Sequence, residues 1–395
     1  MSRMSLRSAP GVGDLLRACV VEHDWSRPLD GIGPVPAPAL TALFRQAAYH
    51  GVTNQVHLSL RTLPLDAELL GGLEQRYLRN VGRHLRILAD LASLREALDD
   101  AGIPWMAFKG PVLSEVVYPR PDLRSYVDLD VLVERPVFAE AVDTLERRGF
   151  QLLDRNWDLI GNEQRGQLHV VLPFGTIADV HWHLLNRCAV RRSLSIPMED
   201  VFARSRAATI DGAPVRTLGA VHTLLHLCVH GALAGGNRLQ WLKDVERAVD
   251  HDPPDWTDVV AVAKQWRAAV PTGIMLERAR RILGADVPGE VVAQLVTSRT
   301  RRAANRVVDR LSPPQQSRSQ RSGSALWAQS LRDTTPNAMV LVGRLRRRAS
   351  HDGRMVARAR REATGARLAV FQPAGDQDSR TAFFERVGGS PGGDR

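Results

Sequence analysis

Apolar residues over positions 73–98 recur at three- and four-residue intervals among arginine and glutamate, a period that predicts one long amphipathic helix. It closes at Asp99-Asp100-Ala101-Gly102, where glycine can take the left-handed conformation that ends a helix. The period then changes. Residues 103–108 form a short unbroken apolar run suited to a buried strand, followed by Lys109-Gly110-Pro111 and a helix over 111–117. Proline at the first helical position forfeits no hydrogen bond, because that N–H would have no partner. A second strand is predicted over 126–133, and a helix over 136–149 that its final glycine closes. Residues 169–172 and 177–184 read as strands joined through Pro173-Phe174-Gly175-Thr176, a hairpin signal. Helical periodicity returns over 220–234, 240–249, 256–269, 272–283 and 289–296, and it also marks residues 38–102 upstream. A short helix over 14–23 precedes them, separated by a Gly/Pro-rich stretch at 30–38 that breaks regular structure. The pattern predicts an α/β or α+β core over 101–215, with a helical region over 1–100 before it and another over 216–311 after it. Residues 312–395, rich in Ser, Gln, Arg, Pro and Gly, read as a basic, largely disordered tail with a helix near 338–348.

Composition narrows the class. No apolar run approaches the roughly 20 residues of a membrane span, and the first residues lack the order of a secretory signal. Cys19, Cys188 and Cys228 lie far apart with no CxxC spacing, so neither a zinc ribbon nor a disulfide framework is indicated. The expectation is a cytoplasmic protein with reduced cysteines and no membrane partner. The net charge of +10 invites a nucleic-acid reading until it is located. Residues 301–395 hold 19 arginines and 8 acids, which leaves 34 basic and 35 acidic residues over 1–300. The body is therefore near neutral, and the basic excess belongs to the tail. Only three of the 53 basic residues are lysines, Lys109, Lys243 and Lys264, so arginine abundance alone says little about phosphate binding.

The candidate chemistry lies in Asp128-Leu129-Asp130-Val131-Leu132-Val133. Strand alternation sends Asp128 and Asp130 to one face and Leu129 and Val131 to the other. Two close carboxylates repel unless a cation lies between them, and Mg²⁺ or Mn²⁺ suits such a pair by taking few carboxylates and leaving positions for water and phosphate oxygens. A third acid follows in Ile177-Ala178-Asp179-Val180-His181-Trp182-His183, where alternation puts Asp179, His181 and His183 on one face. Three acids on neighbouring strands can hold two cations about 3.5–4 Å apart, as phosphoryl chemistry requires, with Asp179 as base or orienter of the attacking group. The turn Lys109-Gly110 offers backbone N–H groups, a close approach at the glycine and a point charge for a triphosphate. Ser114 adds a hydroxyl one turn on.

Phe108-Lys109-Gly110-Pro111, Tyr118-Pro119, Asp122-Leu123-Arg124 leading to Asp128-Leu129-Asp130, and Asp179-Val180-His181-Trp182 follow one another in an order that resembles the uncharacterised nucleotidyltransferase family of the DNA-polymerase-beta superfamily. The similarity extends through His226-Leu227-Cys228-Val229-His230-Gly231 and Arg238-Leu239-Gln240-Trp241, and spans roughly residues 95–250. It implies a polymerase-beta-type mixed sheet and metal-dependent transfer of a nucleotidyl group from a nucleoside triphosphate, with Asp128, Asp130 and Asp179 as metal-binding and catalytic carboxylates. Lys109, Gly110, Ser114, Arg124 and His181 are the expected nucleotide-side residues. The wider superfamily usually has Gly-Ser or Gly-Gly where this chain has Lys109-Gly110, and a shorter interval before the first aspartate; both departures match the narrower family. The acceptor, a small molecule, peptide or protein, is left open; some similar proteins are encoded near natural-product or peptide-modifying genes, which makes a tailoring role one expectation.

Other features read as structural. His222, His226 and His230 share one face of an apolar helix and are assigned to packing, as are Trp182 and Trp241. Arg238 and Asp244 could pair with each other or reach the nucleotide, and a structural pair is the first expectation. The cluster Arg344-Leu345-Arg346-Arg347-Arg348 lacks interleaved aromatic residues, which argues against single-strand nucleic-acid binding. The alternative from another class is a catalytically weak, antitoxin-like binding protein that uses its basic tail for nucleic acid or a protein partner.

Overall fold

The computed structural model describes residues 11–21, 35–61, 67–319, 321–325 and 369–389, together with Trp25 and Leu29. The predicted helix at 338–348 and the Arg344–Arg348 cluster lie outside these residues. Helices α1 (Val12–Val20), α2 (Ala37–His50), α3 (Thr53–Leu60) and the 34-residue α4 (Ala67–Asp100) precede the first strand. Gly102 turns the chain with φ 65°, as the closing signal predicted.

The core sheet has five strands in the order β1 (Trp105–Phe108), β2 (Asp128–Val133), β5 (Ile177–His181), β4 (Gln167–Val171) and β3 (Gln151–Leu152). Strands β2 and β5 are parallel and every other neighbouring pair is antiparallel, so the sheet is mixed. Between them run α5 (Gly110–Val112), α6 (Phe138–Arg147) and α7 (Trp157–Glu163). Downstream come α8 (Cys188–Arg191), α9 (Met198–Ala203) and the hairpin β6 (Arg206–Ile210) and β7 (Ala213–Thr217). Helices α10 (Ala220–Ala234), α11 (Leu239–His251), α12 (Trp256–Gln265), α13 (Ala269–Leu283), α14 (Gly289–Leu295) and α15 (Arg299–Leu311) complete the main body. None of the helices among the described residues is long and apolar enough to cross a membrane.

Alternation along β2 divides two cores. Leu129, Val131 and Val133, with Ala107, Ala178, Val180, Leu168 and Val170, face α4, α6 and α7 in one buried cluster. Met106, Phe108 and Leu132 face the opposite cluster, built from α1–α3 and α10–α14. Asp128 and Asp130 fall in the second set, so the acids point toward the helical half of the molecule.

The tail departs from its predicted disorder over residues 369–389. Helix α16 (Gln377–Gly388) buries Phe383 and Val387 in the same cluster as α6 and α7, and Phe383 and Phe384 pack on Trp157. The apolar positions of this segment are few, but two are adjacent phenylalanines, and each large ring buries enough area to dock a short helix.

Candidate active site

The register of the two parallel strands sets Asp130 directly beside Asp179, and β1 sets Phe108 on the other side of Asp130. Lys109 follows Phe108 in an unusual conformation for a residue with a side chain (φ 56°, ψ −133°). That backbone turns its ammonium back over the strand, where Nζ lies 3.0 Å from Asp130 Oδ1. Gly110, at φ 22°, passes so close to β2 that a Cβ would sit 3.2 Å from the Asp128 carbonyl oxygen. Strained backbone of this kind concentrates at functional sites. The chain then runs through α5 into a π-helical turn, Leu113–Val117, a local form also frequent near such sites.

Ligand atoms of Asp130, Asp179 and His181 all lie within 4.8 Å of one another, a grouping able to hold a metal ion. His181 Nε2 is 3.2 Å from the same Asp130 oxygen that Lys109 touches. Asp128 stands nearer the mouth, half-buried and outside this group. Burial, with the charges of Asp130 and Asp179, pushes its carboxyl up to about 6. Burial and the Asp130 charge also raise Asp179. Burial opposes ionisation of Asp130 too, but Lys109 and His181 outweigh it and hold that carboxyl below its ordinary range. The site is thus a concentration of negative charge that one ammonium only partly offsets, and such a site favours a bound cation.

Asp179 is gripped from β4. Gln167 Nε2 donates to its Oδ2 at 2.7 Å, while His169 Nε2 approaches Oδ1 at 3.7 Å. The fully buried Asp154 carboxylate lies 2.9 Å from His169 Nδ1 and fixes which ring nitrogen faces Asp179. Burial works against the His169 imidazolium, but Asp154 outweighs it and the pKa is raised. Sequence reading missed Gln167, His169 and Asp154. The hairpin signal gave β4 beside β5, but the predicted strand began at His169, and nothing local revealed the register that sets Gln167 and His169 around Asp179.

A cavity of about 490 Å³ opens over Lys109, Gly110, Asp128 and Asp130. Arg76, Arg79 and Arg83 of α4 line it, with Arg238 at the start of α11. Among the described residues none of these four arginines has a carboxylate partner. Arg238 lies instead over the Tyr49 and Trp241 rings, at 5.1 and 5.2 Å. The α4 row was legible as an i, i+3, i+7 pattern on one helix face, although what that face meets was not.

Several expected site residues have other roles. Ser114 is fully buried and donates to the Pro121 carbonyl at 2.6 Å, because the π-helical turn rotates it away from the cavity. Arg124 lines the cavity, yet its buried guanidinium binds both oxygens of Asp244 at 2.8 and 3.1 Å and reaches the Gly110 carbonyl at 3.3 Å. It braces the Lys109-Gly110 turn, and Asp244 pairs with it rather than with Arg238. His183 does not join Asp179, because β5 ends at His181; its Nδ1 accepts from the Leu185 N–H at 3.0 Å. Of the three α10 histidines, His222 stacks on Trp266 and His226 packs edge-on against Phe108. His230 opens onto the cavity, and the surrounding protein and Lys109 lower its pKa. The three do not converge on one point.

Carboxylates on adjoining strands of a mixed sheet, in a group able to hold a metal ion, lie beneath a cavity whose arginines on α4 and α11 have no carboxylate partner among the described residues. A model of the uncharacterised nucleotidyltransferase family matches residues 37–284, well over half the chain, and the protein belongs to that family. It is a nucleotidyltransferase, an enzyme whose substrate is a nucleotide. The match begins at the first residue of α2 and ends at Gly284, the cap of α13, so it takes in the sheet, the acids and every arginine over the cavity. No curated protein and no solved structure matches the chain.

Proposed function

We propose that the protein transfers a nucleotidyl group from a nucleoside triphosphate to a hydroxyl or phosphate acceptor with the help of Mg²⁺ or Mn²⁺. The observation that carries this reading is the in-register pair Asp130 and Asp179, with an ammonium 3.0 Å from Asp130, facing arginines that have no carboxylate partner among the described residues. Asp130 and Asp179 would supply oxygen ligands to a hard divalent ion, with His181 beside them and Asp128 at the mouth, and the cavity leaves room for phosphate oxygens. When bound, such an ion polarises phosphoryl oxygens and neutralises developing charge.

The chain's own groups do the rest. Arg76, Arg79, Arg83 and Arg238 take the polyphosphate, and Gly110 lets the backbone approach it. Lys109 moves from Asp130 to a phosphate oxygen once the acids have a cation. The acceptor oxygen forms a bond to the α-phosphorus as the bond to the bridging oxygen breaks, and pyrophosphate leaves. The acceptor's proton passes to Asp179, whose orientation Gln167 and His169 hold. Arginine and lysine around the pyrophosphate stabilise the charge that builds there.

Isothermal titration with each of the four nucleoside triphosphates, with and without Mg²⁺, tests the reading. At least one is expected to bind tenfold or more tightly with the metal, and Asp130→Asn to remove that difference. Binding that ignores Mg²⁺, or a metal effect that survives Asp130→Asn, would overturn it.

A further inference from the structure

The compact ligand group differs from the three carboxylates expected from the sequence. Asp128 stands outside it, and the third member is a histidine: Asp130, Asp179 and His181 each bring one ligand atom within 4.8 Å of the others. Strand register accounts for the exchange. Parallel pairing sets Asp130 beside Asp179 and Leu132 beside His181, so His181 follows Asp179 one step deeper on the same face of β5. Asp128 falls one step the other way, at the mouth.

The imidazole is placed as a ligand would be. Its ring is buried and packs edge-on against Phe108, with ring centres 5.1 Å apart. Nε2 faces Asp130 Oδ1 at 3.2 Å, and the same oxygen already takes the Lys109 ammonium at 3.0 Å. A hydrogen bond to a carboxylate is usually shorter, about 2.7–2.9 Å. The spacing is close to the roughly 3 Å between neighbouring ligands of an octahedral ion whose bonds are about 2.1 Å long. Nδ1 has no hydrogen-bond partner among the described residues. At His183 the Leu185 N–H occupies Nδ1 and so leaves the neutral ring's proton on Nε2. No such donor commits His181, whose Nε2 is free to present a lone pair to a cation. His169, the other imidazole beside the acids, lies across Asp179 on β4, with Nε2 3.7 Å from Oδ1 and outside the group.

We propose that His181 Nε2 binds the cation directly, beside one oxygen each from Asp130 and Asp179, and that this nitrogen favours a first-row transition ion such as Mn²⁺ or Co²⁺ over Mg²⁺. The inference rests on the reading of the acids as a cation site. Mg²⁺ takes oxygen ligands and keeps water readily, so it gains little from an imidazole. Transition ions accept nitrogen and oxygen donors together. Two carboxylates hold either kind of ion; the histidine sets the preference between them.

Electron paramagnetic resonance of the full-length protein with Mn²⁺ tests this. Pulsed spectra of the bound ion are expected to show coupling to an imidazole ¹⁴N, which becomes ¹⁵N coupling when the protein is made with ¹⁵N-histidine and disappears in His181→Gln. The isotope result needs no substitution, so it holds even if that variant folds poorly. In competition titrations read from the free Mn²⁺ signal, His181→Gln should lower Mn²⁺ affinity at least tenfold and Mg²⁺ affinity less than threefold. Bound Mn²⁺ without nitrogen coupling, coupling that survives His181→Gln, or an unchanged ratio of the two affinities would each overturn the proposal. Those results leave the transfer reading standing, because it needs only the acids. Failure to bind Mn²⁺ at all, with or without nucleoside triphosphate, would overturn both.

Discussion

Asp128 shows how one side chain connects the site to stability. Its folded-state pKa of about 6 lies above the ordinary 3.8, because burial and two neighbouring carboxylates penalise its charge. Below about pH 4 it is protonated in both the folded and the unfolded chain, and its environment costs nothing. Between about 4 and 6 the unfolded chain releases the proton while the folded one keeps it, so stability falls as pH rises and then levels off. Removing the charge should reverse that loss. Asp128→Asn is expected to stabilise the metal-free protein at pH 7.5 by about 1–2 kcal/mol, allowing for screening at a half-exposed group, and to do little at pH 4. Thermal melts at both pH values check this, and an equal gain at each would show that the carboxylate charge is not the cause. At this scale alternation was a sound guide, since it put Asp128, Asp130 and Asp179 on one face. It failed at His183, because a strand's end is set by its hydrogen-bonding neighbour, and it says nothing of pairs such as Arg124 with Asp244, which lies 120 residues away.

At the scale of elements, α4 acts as a charged wall laid across a strand end. The helix buries Ile87, Leu91, Leu94 and Leu98 against the sheet and carries Arg76, Arg79 and Arg83 out over the cavity. Rows at three- and four-residue spacing share a face, so one rigid helix presents all three guanidinium groups together. If this row receives the polyphosphate, Arg79→Glu/Arg83→Glu should raise the Michaelis constant for the nucleotide tenfold or more and affect turnover less, because it acts on groups bound before and during the reaction alike. The effect should be steepest at low salt. A Michaelis constant within twofold of the parent would remove α4 from the nucleotide site. The helix itself was legible from its periodicity, as were α10 and the β4–β5 hairpin, because each writes its own period over many residues. Sheet order was not, since the parallel pairing of β2 with β5 brings together strands separated by α6, β3, α7 and β4.

The whole molecule closes through a segment far from the site in sequence. The backbone N–H groups of Arg155 and Asn156 donate to the Val370 carbonyl, and that of Trp157 donates to Ala374. Arg380 of α16 reaches Asp143 and Glu146 of α6, while Arg135 at the end of β2 takes the carbonyls of Arg386 and Val387. The surface ion pairs contribute little each; the buried ring of Phe383 contributes most. Phe383→Ala is expected to destabilise by about 3–5 kcal/mol, the range for emptying a buried aromatic site. Removing residues 369–395 should lower the thermal midpoint further, because Trp157 and Phe138 then lose their cover. Yet no described residue of this segment lines the arginine cavity, and the family match ends well before it. The truncated chain, kept at a temperature where it stays folded, should therefore bind nucleoside triphosphate within about twofold of the full-length affinity. Urea denaturation and titration calorimetry on the same preparation separate the two effects. Loss of nucleotide binding in a chain that circular dichroism shows to be folded would mean that the docked helix shapes the site as well as sealing the core behind it.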